Sequence, residues 1–523
     1  MTTPHRDTLA PAPPHPLGAP ATSLPDTPPV RALGLPRLTA GFDDAERLGR
    51  TAHLLAHGSL PALTHSGLAT LAEDITLRGR GGAGFPFVRK LEAVARQVRR
   101  TGTPPAVVVN GCEGEPACRK DTVLLCRAPH LVLDGALLAA EALGARTLVV
   151  GVTKDTAEAS LRAAMAERGL KERRRGRALR ARLVRLPERF VSGEASALIR
   201  AADGGPPLPP GRRTRAAEAG LGGAPTLVSN TETFAQLAVA ARLGARHYAA
   251  TGTAEEPGTL LLTVSGAVPS PTVVEAPSGV PLGYILQSCA ADPSPTGVLV
   301  GGYHGAWLDA ASAYEAVVTR DALAARGGAL GAGAVLPLPA DACPLGETLR
   351  VAHWLAAESA GQCGPCRLGL PSLAGALAGT LAGGREALEA VRQAAQGVRG
   401  RGACKHPDGS ARFVLSALTA FTDDLAAHVL GGGCGRETIG VLPLSAPEAD
   451  GTRDGQGAGG RLAVDWTLCE GHGLCAGLLP EAVRLDGDGY PVVADAPLPG
   501  RLRTRAQRAV RRCPALALRL EDR

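Results

Sequence analysis

The sequence predicts an α/β protein in four parts: a parallel-sheet domain, a smaller module of short strands, a helical bundle and a compact tail. Three observations predict it. Apolar β-branched runs at Val107-Val-Val and Thr147-Leu-Val-Val-Gly151 alternate with helical periodicity over Val123–Leu143 and Thr156–Glu167, as in buried parallel strands joined by helices. From Thr259 to Val300 the strands become short and turn-separated, and residues 345–430 are Ala- and Leu-rich with helical spacing.

Along the chain, ten prolines among the first forty residues and no apolar signal core predict a disordered N-terminus over 1–40. Asp43–Glu73 reads as mainly helix and opens the first domain, 41–245. Strands Leu260-Leu-Leu-Thr-Val264 and Val298-Leu-Val300 define a small β-grasp-like module, 246–335. The helical bundle follows over 336–440. A Gly/Asp/Ala-rich linker spans 441–462, and a tail over 463–523 is about the size of a minimal domain.

The bulk numbers exclude several classes. A net charge of +7, from 56 Lys+Arg against 49 Asp+Glu, is too mild and dispersed for nucleic acid, and 3% aromatics offers no base-stacking platform. The one dense basic run, Lys171 to Arg189 with eight arginines, reads as a solvated face or a docking surface for an acidic partner. No segment reaches the roughly twenty apolar residues of a transmembrane span; Leu131–Val152 is interrupted by Asp134, Glu141 and Arg146. Twelve cysteines in an intracellular chain of this size fit metal ligation better than disulfides.

The first chemical signal is Arg78-Gly-Arg-Gly-Gly-Ala-Gly-Phe-Pro86. Gly79, Gly81, Gly82 and Gly84 remove Cβ atoms where a backbone must approach a ligand, and Arg80 and Lys90 supply cations for a phosphate. By itself such a loop is equally a turn. Asn110-Gly-Cys-Glu-Gly-Glu-Pro116, carrying Glu113 and Glu115, then ends a strand where open sheets bind nucleotides.

Five motifs in order carry a family resemblance: Arg78–Pro86 with Lys90; Asn110–Pro116 with Lys120-Asp121; Ser192-Gly-Glu-Ala-Ser-Ala-Leu198; Pro225–Thr233; and Glu358–Gly369. Together they resemble the flavin-carrying, NADH-oxidising 51 kDa-type (F) subunit of respiratory complex I and its relatives in soluble hydrogenases and formate dehydrogenases. The resemblance implies a Rossmann-like flavin domain over 41–245. It implies that Gly79, Arg80, Gly81, Lys90, Asn110, Asn230 and Thr233 hold FMN, with Gly82, Gly84, Glu115 and Gly193 in the same cofactor-binding set. Phe85, Glu113 and Glu194 would face the nicotinamide nucleotide, Glu113 and Glu194 as the catalytic acids. The chain departs from the family at Cys112, Ala195 and Phe190, where relatives carry Asp, Glu and Tyr. Loss of the acid at Ala195 removes a like-charge clash with a 2′-phosphate, so NADPH becomes a candidate beside NADH.

Relatives bind a [4Fe–4S] cluster through Cys-x₂-Cys-x₂-Cys and a distant cysteine. Here Cys363, Cys366 and Cys404 match, and the first ligand is Ala360. Three thiolates suit a [3Fe–4S] cluster, or a [4Fe–4S] cluster with another fourth ligand; structural cysteines without a cluster are the alternative. The tail, with Cys469-Glu-Gly-His-Gly-Leu-Cys475, Cys513-Pro514 and the turn Asp486–Tyr490, resembles single-cluster ferredoxins of the actinobacterial type. Cys469, Cys475 and Cys513, with His472 in the central position, imply a [3Fe–4S] cluster or a His-ligated [4Fe–4S] cluster; zinc or a redox-inert tail are the alternatives. Cys118, Cys126, Cys289, Cys343 and Cys434 fit no spacing and read as inert thiols.

The resemblance as a whole implies a diaphorase. NADH or NADPH would reduce FMN, and single electrons would leave through the clusters to an acceptor protein or a quinone. A thioredoxin-like [2Fe–2S] subunit is implied as a partner, and a cytoplasmic location, free or peripheral to the inner face of a membrane through a partner. The alternative is a non-catalytic electron-relay or assembly module that keeps the fold.

Overall fold

The computed structural model describes residues 23–170, 179–211, 215–383, 385–445, 461–493 and 496–521. The first domain is organised by a four-stranded parallel sheet in the order Arg180–Arg185, Thr147–Val152, Ala106–Gly111, Thr226–Asn230. Its central strands are buried almost throughout, which is why they read as unbroken apolar runs. Helices Pro129–Leu143 and Thr231–Ala249 pack against each other in the core behind this sheet. Their approach depends on Gly135, where a Cβ would lie 1.8 Å from the carbonyl oxygen of Phe234. The strand order reverses direction between Ala106–Gly111 and Thr226–Asn230, so Asn110 and Asn230 stand side by side at the carboxyl ends of neighbouring strands. That crevice is where an open parallel sheet exposes space for a ligand.

A second, mixed sheet has six strands in the order Val30–Ala32, Thr272–Pro277, Thr259–Val264, Ala334–Leu338, Gly297–Val300, Ala306–Asp309. Two expectations about boundaries change here. Ala334–Leu338 crosses the proposed boundary at 335, since it pairs with both Thr259–Val264 and Gly297–Val300. The Pro-rich N-terminus is not disordered as far as residue 40. Val30–Ala32 is an edge strand parallel to Thr272–Pro277. The carboxylate of Glu275, 1% exposed, accepts the backbone N–H groups of Arg37, Leu38 and Thr39. Proline is compatible with an edge strand, which leaves part of its backbone unpaired. Residues 1–22 lie outside the described residues.

Expected single helices are also broken. Asp43–Glu73 resolves into Arg50–His57 and His65–Asp74, and Val123–Leu143 into Lys120–Arg127 and Pro129–Leu143, bent by 94° at Ala128 ahead of Pro129. The bundle contains helices Pro344–Ala357, Leu370–Leu381, Arg385–Val398, His406–Ala420 and Thr422–Gly431, with a π-helical turn at Pro365–Gly369. Leu442 and Leu444 are buried in its core, so the expected linker starts later than 441; residues 446–460 lie outside the described residues. The tail forms two antiparallel strand pairs, Arg461–Val464 with Leu518–Glu521 and Val483–Leu485 with Pro491–Val493. It packs on the bundle: Trp466 Cβ lies 3.3 Å from where a Cβ on Gly364 would stand. Of the basic run, 171–178 lies outside the described residues, and Arg180–Arg185 is the edge of the parallel sheet. Among the described residues no single helix is long and apolar enough to cross a membrane.

Candidate cofactor site

A cavity of about 1420 Å³ opens at the switch point. The glycine loop forms one wall as a tight hairpin, with Arg78 bridging Pro86 and the Gly79 N–H bonded to Phe85 O at 2.9 Å. Gly82 and Gly84 adopt φ of +112° and +61°, conformations a side chain disfavours. At Gly81 a Cβ would come within 3.2 Å of Asn230 Cβ. The loop is pinned by the Arg80 N–H, which donates to Thr233 Oγ1 at 2.9 Å. Thr233, fully buried, therefore supports the loop rather than facing the cavity.

Arg80 is the informative side chain. Its guanidinium is 7% exposed and lines the cavity, yet its Nε and Nη1 atoms lack hydrogen-bond partners. Unpaired buried cationic donors are costly, and an anion placed there would satisfy them. Lys90, also on the cavity, donates to Val228 O at 3.1 Å, and burial pushes its pKa below the usual lysine range. Beneath the loop runs a buried ionic network. Lys120 Nζ lies 3.0 Å from Asp121 and 2.9 Å from Glu232, and Glu232 in turn lies 3.9 Å from Arg80 Nε. Asn230 donates to Asp121 at 2.6 Å and accepts from the Glu232 N–H at 2.9 Å, capping helix Thr231–Ala249. Asn110 is likewise engaged, donating to Gly193 O at 2.8 Å. The two strand-end asparagines thus shape the floor through internal bonds.

The expected catalytic carboxylates have structural jobs. Glu113 lines the cavity, but its two oxygens accept from the Asp121 N–H at 3.1 Å and from Thr122 N–H and Oγ1 at 3.0 and 2.7 Å. It caps helix Lys120–Arg127 from its place on the cavity wall. Glu194 caps helix Ala195–Ala202 through one oxygen, Oε2, while lining the cavity beside Gly193 and Ala195. Glu115 is buried against Gly302 and accepts from the Tyr303 N–H at 2.8 Å; burial pushes its pKa up to about 7. Phe85 stands at the cavity wall with 45% exposure.

At the far end of the cavity lies Cys404, which belongs to the central cysteine group. Cys366 hydrogen-bonds Cys363, and this bond holds the Cys363 thiol down at about 6. Burial pushes Cys404 up to about 12. Ala360 is buried in the same loop. His406 is not placed to fill a fourth position. Its Nε2 donates to Leu355 O at 2.8 Å, leaving Nδ1 to accept from His304 Nε2 at 3.1 Å. In the tail, Gly471 and Gly473, with φ of +73° and +71°, curl the chain around Cys469 and Cys475. Burial raises the pKa of both, and Cys513 lies near enough to act on each. His472 is half-exposed, with Nε2 3.8 Å from Glu470.

Comparison with known proteins covers the same regions. The Nuo51 FMN-binding domain family matches residues 72–239, and the NADH-ubiquinone oxidoreductase-F iron-sulfur binding region matches 347–428. The F subunit of NADH-quinone oxidoreductase from Streptomyces coelicolor is 30% identical over 392 residues, spanning 71% of this chain and 85% of that protein. The chain belongs to the family of NADH-quinone oxidoreductase F subunits. The F 2 subunit of the same enzyme in Rhizobium meliloti is 29% identical over 385 residues, 71% of this chain and 90% of that protein. An NAD+-reducing [NiFe]-hydrogenase crystal structure in the H2-reduced state aligns with TM-score 0.66 and 27% identity, over 77% of this chain and 68% of that one. The tail matches a 4Fe-4S single cluster domain over 462–520. FMN and iron–sulfur clusters are accordingly the cofactors of this chain.

Sequence reasoning missed two features of the site. Arg320 packs under the glycine loop, donating to Gly79 O at 3.0 Å, and its guanidinium would lie 2.9 Å from a Cβ on Gly84. Burial and then the charge of Arg80 hold its pKa down at about 10. His304 and His406 form the second, with the Phe190 ring 4.6 and 5.4 Å from theirs, between the cavity and the bundle. His304 lies in the turn Gly301-Gly-Tyr-His-Gly305, and nothing local pairs it with a histidine 102 residues away.

Proposed function

We propose that the Gly79–Gly84 loop with Arg80 and Lys90 holds the FMN phosphate, that Asn110 and Asn230 shape the floor under the flavin, and that the cavity toward Phe85 and Glu194-Ala195 receives the nicotinamide nucleotide. The chain is an NADH dehydrogenase of the flavo-iron–sulfur type, passing electrons through FMN and clusters. Bound FMN supplies a hydride acceptor that releases electrons singly, as clusters require. The residues position and desolvate. Arg80 offers two unpartnered donors from a buried guanidinium, and this is the observation that carries the reading. The Lys120–Asp121–Glu232 network fixes the loop from below, so the donors are oriented before the ligand arrives. Phe190, His304 and His406 fill the space between cavity and bundle and separate the two cofactor regions from water.

Cys363, Cys366 and Cys404 would hold the central cluster, and Cys469, Cys475 and Cys513 with His472 the terminal one, each of [3Fe–4S] or [4Fe–4S] type. Leu468, Leu474 and Leu516 are exposed beside the tail cysteines, which suits the exit of electrons to an acceptor protein; a quinone is the other acceptor class. A thioredoxin-like [2Fe–2S] subunit and a peripheral position on the inner face of a membrane through a partner belong to the same reading. Ala195 on the cavity wall carries no charge against a 2′-phosphate, so NADPH is accepted alongside NADH.

Arg80→Ala and Lys90→Ala test the assignment. Each should lower FMN retained after gel filtration by about tenfold or more, the scale of one lost charged hydrogen bond. Full flavin content in both variants would place the phosphate elsewhere. Because Glu113 is committed to a helix cap, the non-catalytic relay remains the second reading. Anaerobic NADH that fails to bleach a fully loaded flavin would establish it.

A further inference from the structure

Cys343 and Cys434 fit no sequence pattern, and neither the flavin cavity nor the two cluster motifs uses them. The fold brings them together with His428. Among the described residues these three form the only Cys, His and carboxylate group whose ligand atoms all lie within 4.8 Å of one another. The cysteines of the cluster motifs are not gathered so tightly, as suits a multi-iron cluster rather than one ion. Cys343 Sγ and His428 Nε2 are 3.3 Å apart. A tetrahedral zinc ion, with Zn–S of about 2.3 Å and Zn–N of about 2.0 Å, separates such ligand atoms by roughly 3.5 to 3.8 Å. The trio thus needs only small side-chain shifts.

The surroundings orient these atoms as ligands. His428 Nδ1 donates to Leu381 O at 3.2 Å, which fixes the tautomer and leaves the Nε2 lone pair pointing at Cys343. A carbonyl partner on the other ring nitrogen is the usual support of a metal-bound histidine. The Gly346 N–H donates to Cys343 Sγ at 3.2 Å, from the first turn of the 14-residue helix Pro344–Ala357. Arg436, paired with Asp424, lies near enough to Cys434 to interact with it electrostatically. Cys343 and His428 are buried, whereas Cys434 is partly open.

We propose that Cys343, His428 and Cys434 bind a zinc(II) ion, with a water molecule on the open side as fourth ligand. The ion would tie the end of helix Thr422–Gly431 and the segment after it to the start of helix Pro344–Ala357. That seam is already closed by the Cys343 N–H, which donates to Glu437 O at 2.8 Å. The role is structural, since the trio is separate from the residues of the cofactor cavity.

The test uses the full-length protein expressed with zinc in the medium, scored for zinc, iron and FMN per chain and by X-ray absorption at the zinc edge. About one zinc per chain is expected, with two sulfur ligands and the remainder nitrogen or oxygen. Cys434→Ala, at the partly open position, should lose that zinc while iron and FMN stay at wild-type levels. His428→Asn, whose amide can keep the bond to Leu381 O, should lower zinc retention against a chelator at least tenfold. Zinc-free wild-type protein, zinc unchanged in both variants, or a Cys343–Cys434 disulfide in non-reduced peptide maps would overturn the proposal. Retention of FMN and iron is read separately, so failure here leaves the redox assignment standing.

Discussion

Cys363, Cys366 and Cys404 sit between helices of a large buried core, whereas Cys469, Cys475 and Cys513 are wrapped by loops over a core of ten buried residues. Each group has three thiols and a vacant cysteine position, Ala360 in one and His472 in the other. The surroundings differ. Cys366 is 2% exposed on the π-helical turn Pro365–Gly369, and burial raises the pKa of Cys404 to about 12. The tail cysteines are all partly open and ringed by exposed leucines. A scaffold that folds without its cluster can shield a relay centre. A minimal domain leans on its cluster for stability and can present it to a partner.

The largest expected effect would break this contrast directly. Cys475→Ser should cost the tail its cluster and its fold together, so residues 461–521 become sensitive to limited proteolysis while NADH still bleaches the flavin. Cys404→Ser should lose central iron and leave the bundle protease-resistant. Equal protease sensitivity of bundle and tail in the two variants would mean that both sites depend on their clusters alike.

A smaller effect sharpens the boundary between the sites. Trp466 covers Gly364 beside the central cysteines, and Asp486 of the tail acts electrostatically on Cys363. Trp466 is partly buried, so Trp466→Ala should destabilise the tail by about 2 kcal/mol, less than truncating a fully buried aromatic. It should also speed air bleaching of the central cluster several-fold, followed by absorbance; an unchanged bleaching rate would show that the tail does not shield it.

The mildest variants change cluster type with little change in stability. Ala360→Cys and His472→Cys each restore a fourth thiol. Where a site holds a [3Fe–4S] cluster, paramagnetic resonance of the oxidised protein should lose that signal in proportion to the site restored. A signal untouched by either change would mean that these positions do not face the clusters.

The glycine loop was readable because glycines beside cations are an unusual local pattern, and the structure puts Gly82 and Gly84 at positive φ. The parallel strands were readable because burial on both faces removes polar residues from them. Val30–Ala32 was not, being three residues amid prolines whose strand character comes from pairing with Thr272–Pro277. Arg320 was invisible for a related reason. It reaches Gly79 across 241 residues of sequence, and no neighbour of its own distinguishes it. The capping role of Glu113 was not legible, because its motif announces an acid at a strand end but not that helix Lys120–Arg127 begins within reach of both oxygens.

By itself the sequence determined which chemistry this protein carries: a glycine-cushioned cavity with cations, thiols at cluster spacing, and strands and helices in an order that makes a parallel sheet. These are properties of residue type and short-range spacing, which the backbone expresses locally. Tertiary structure alone decided which carboxylates cap helices, which arginine supports the loop, and which of the unpatterned cysteines meet a histidine. Such contacts join residues tens to hundreds of positions apart. Their energies depend on burial and mutual geometry that no local segment contains.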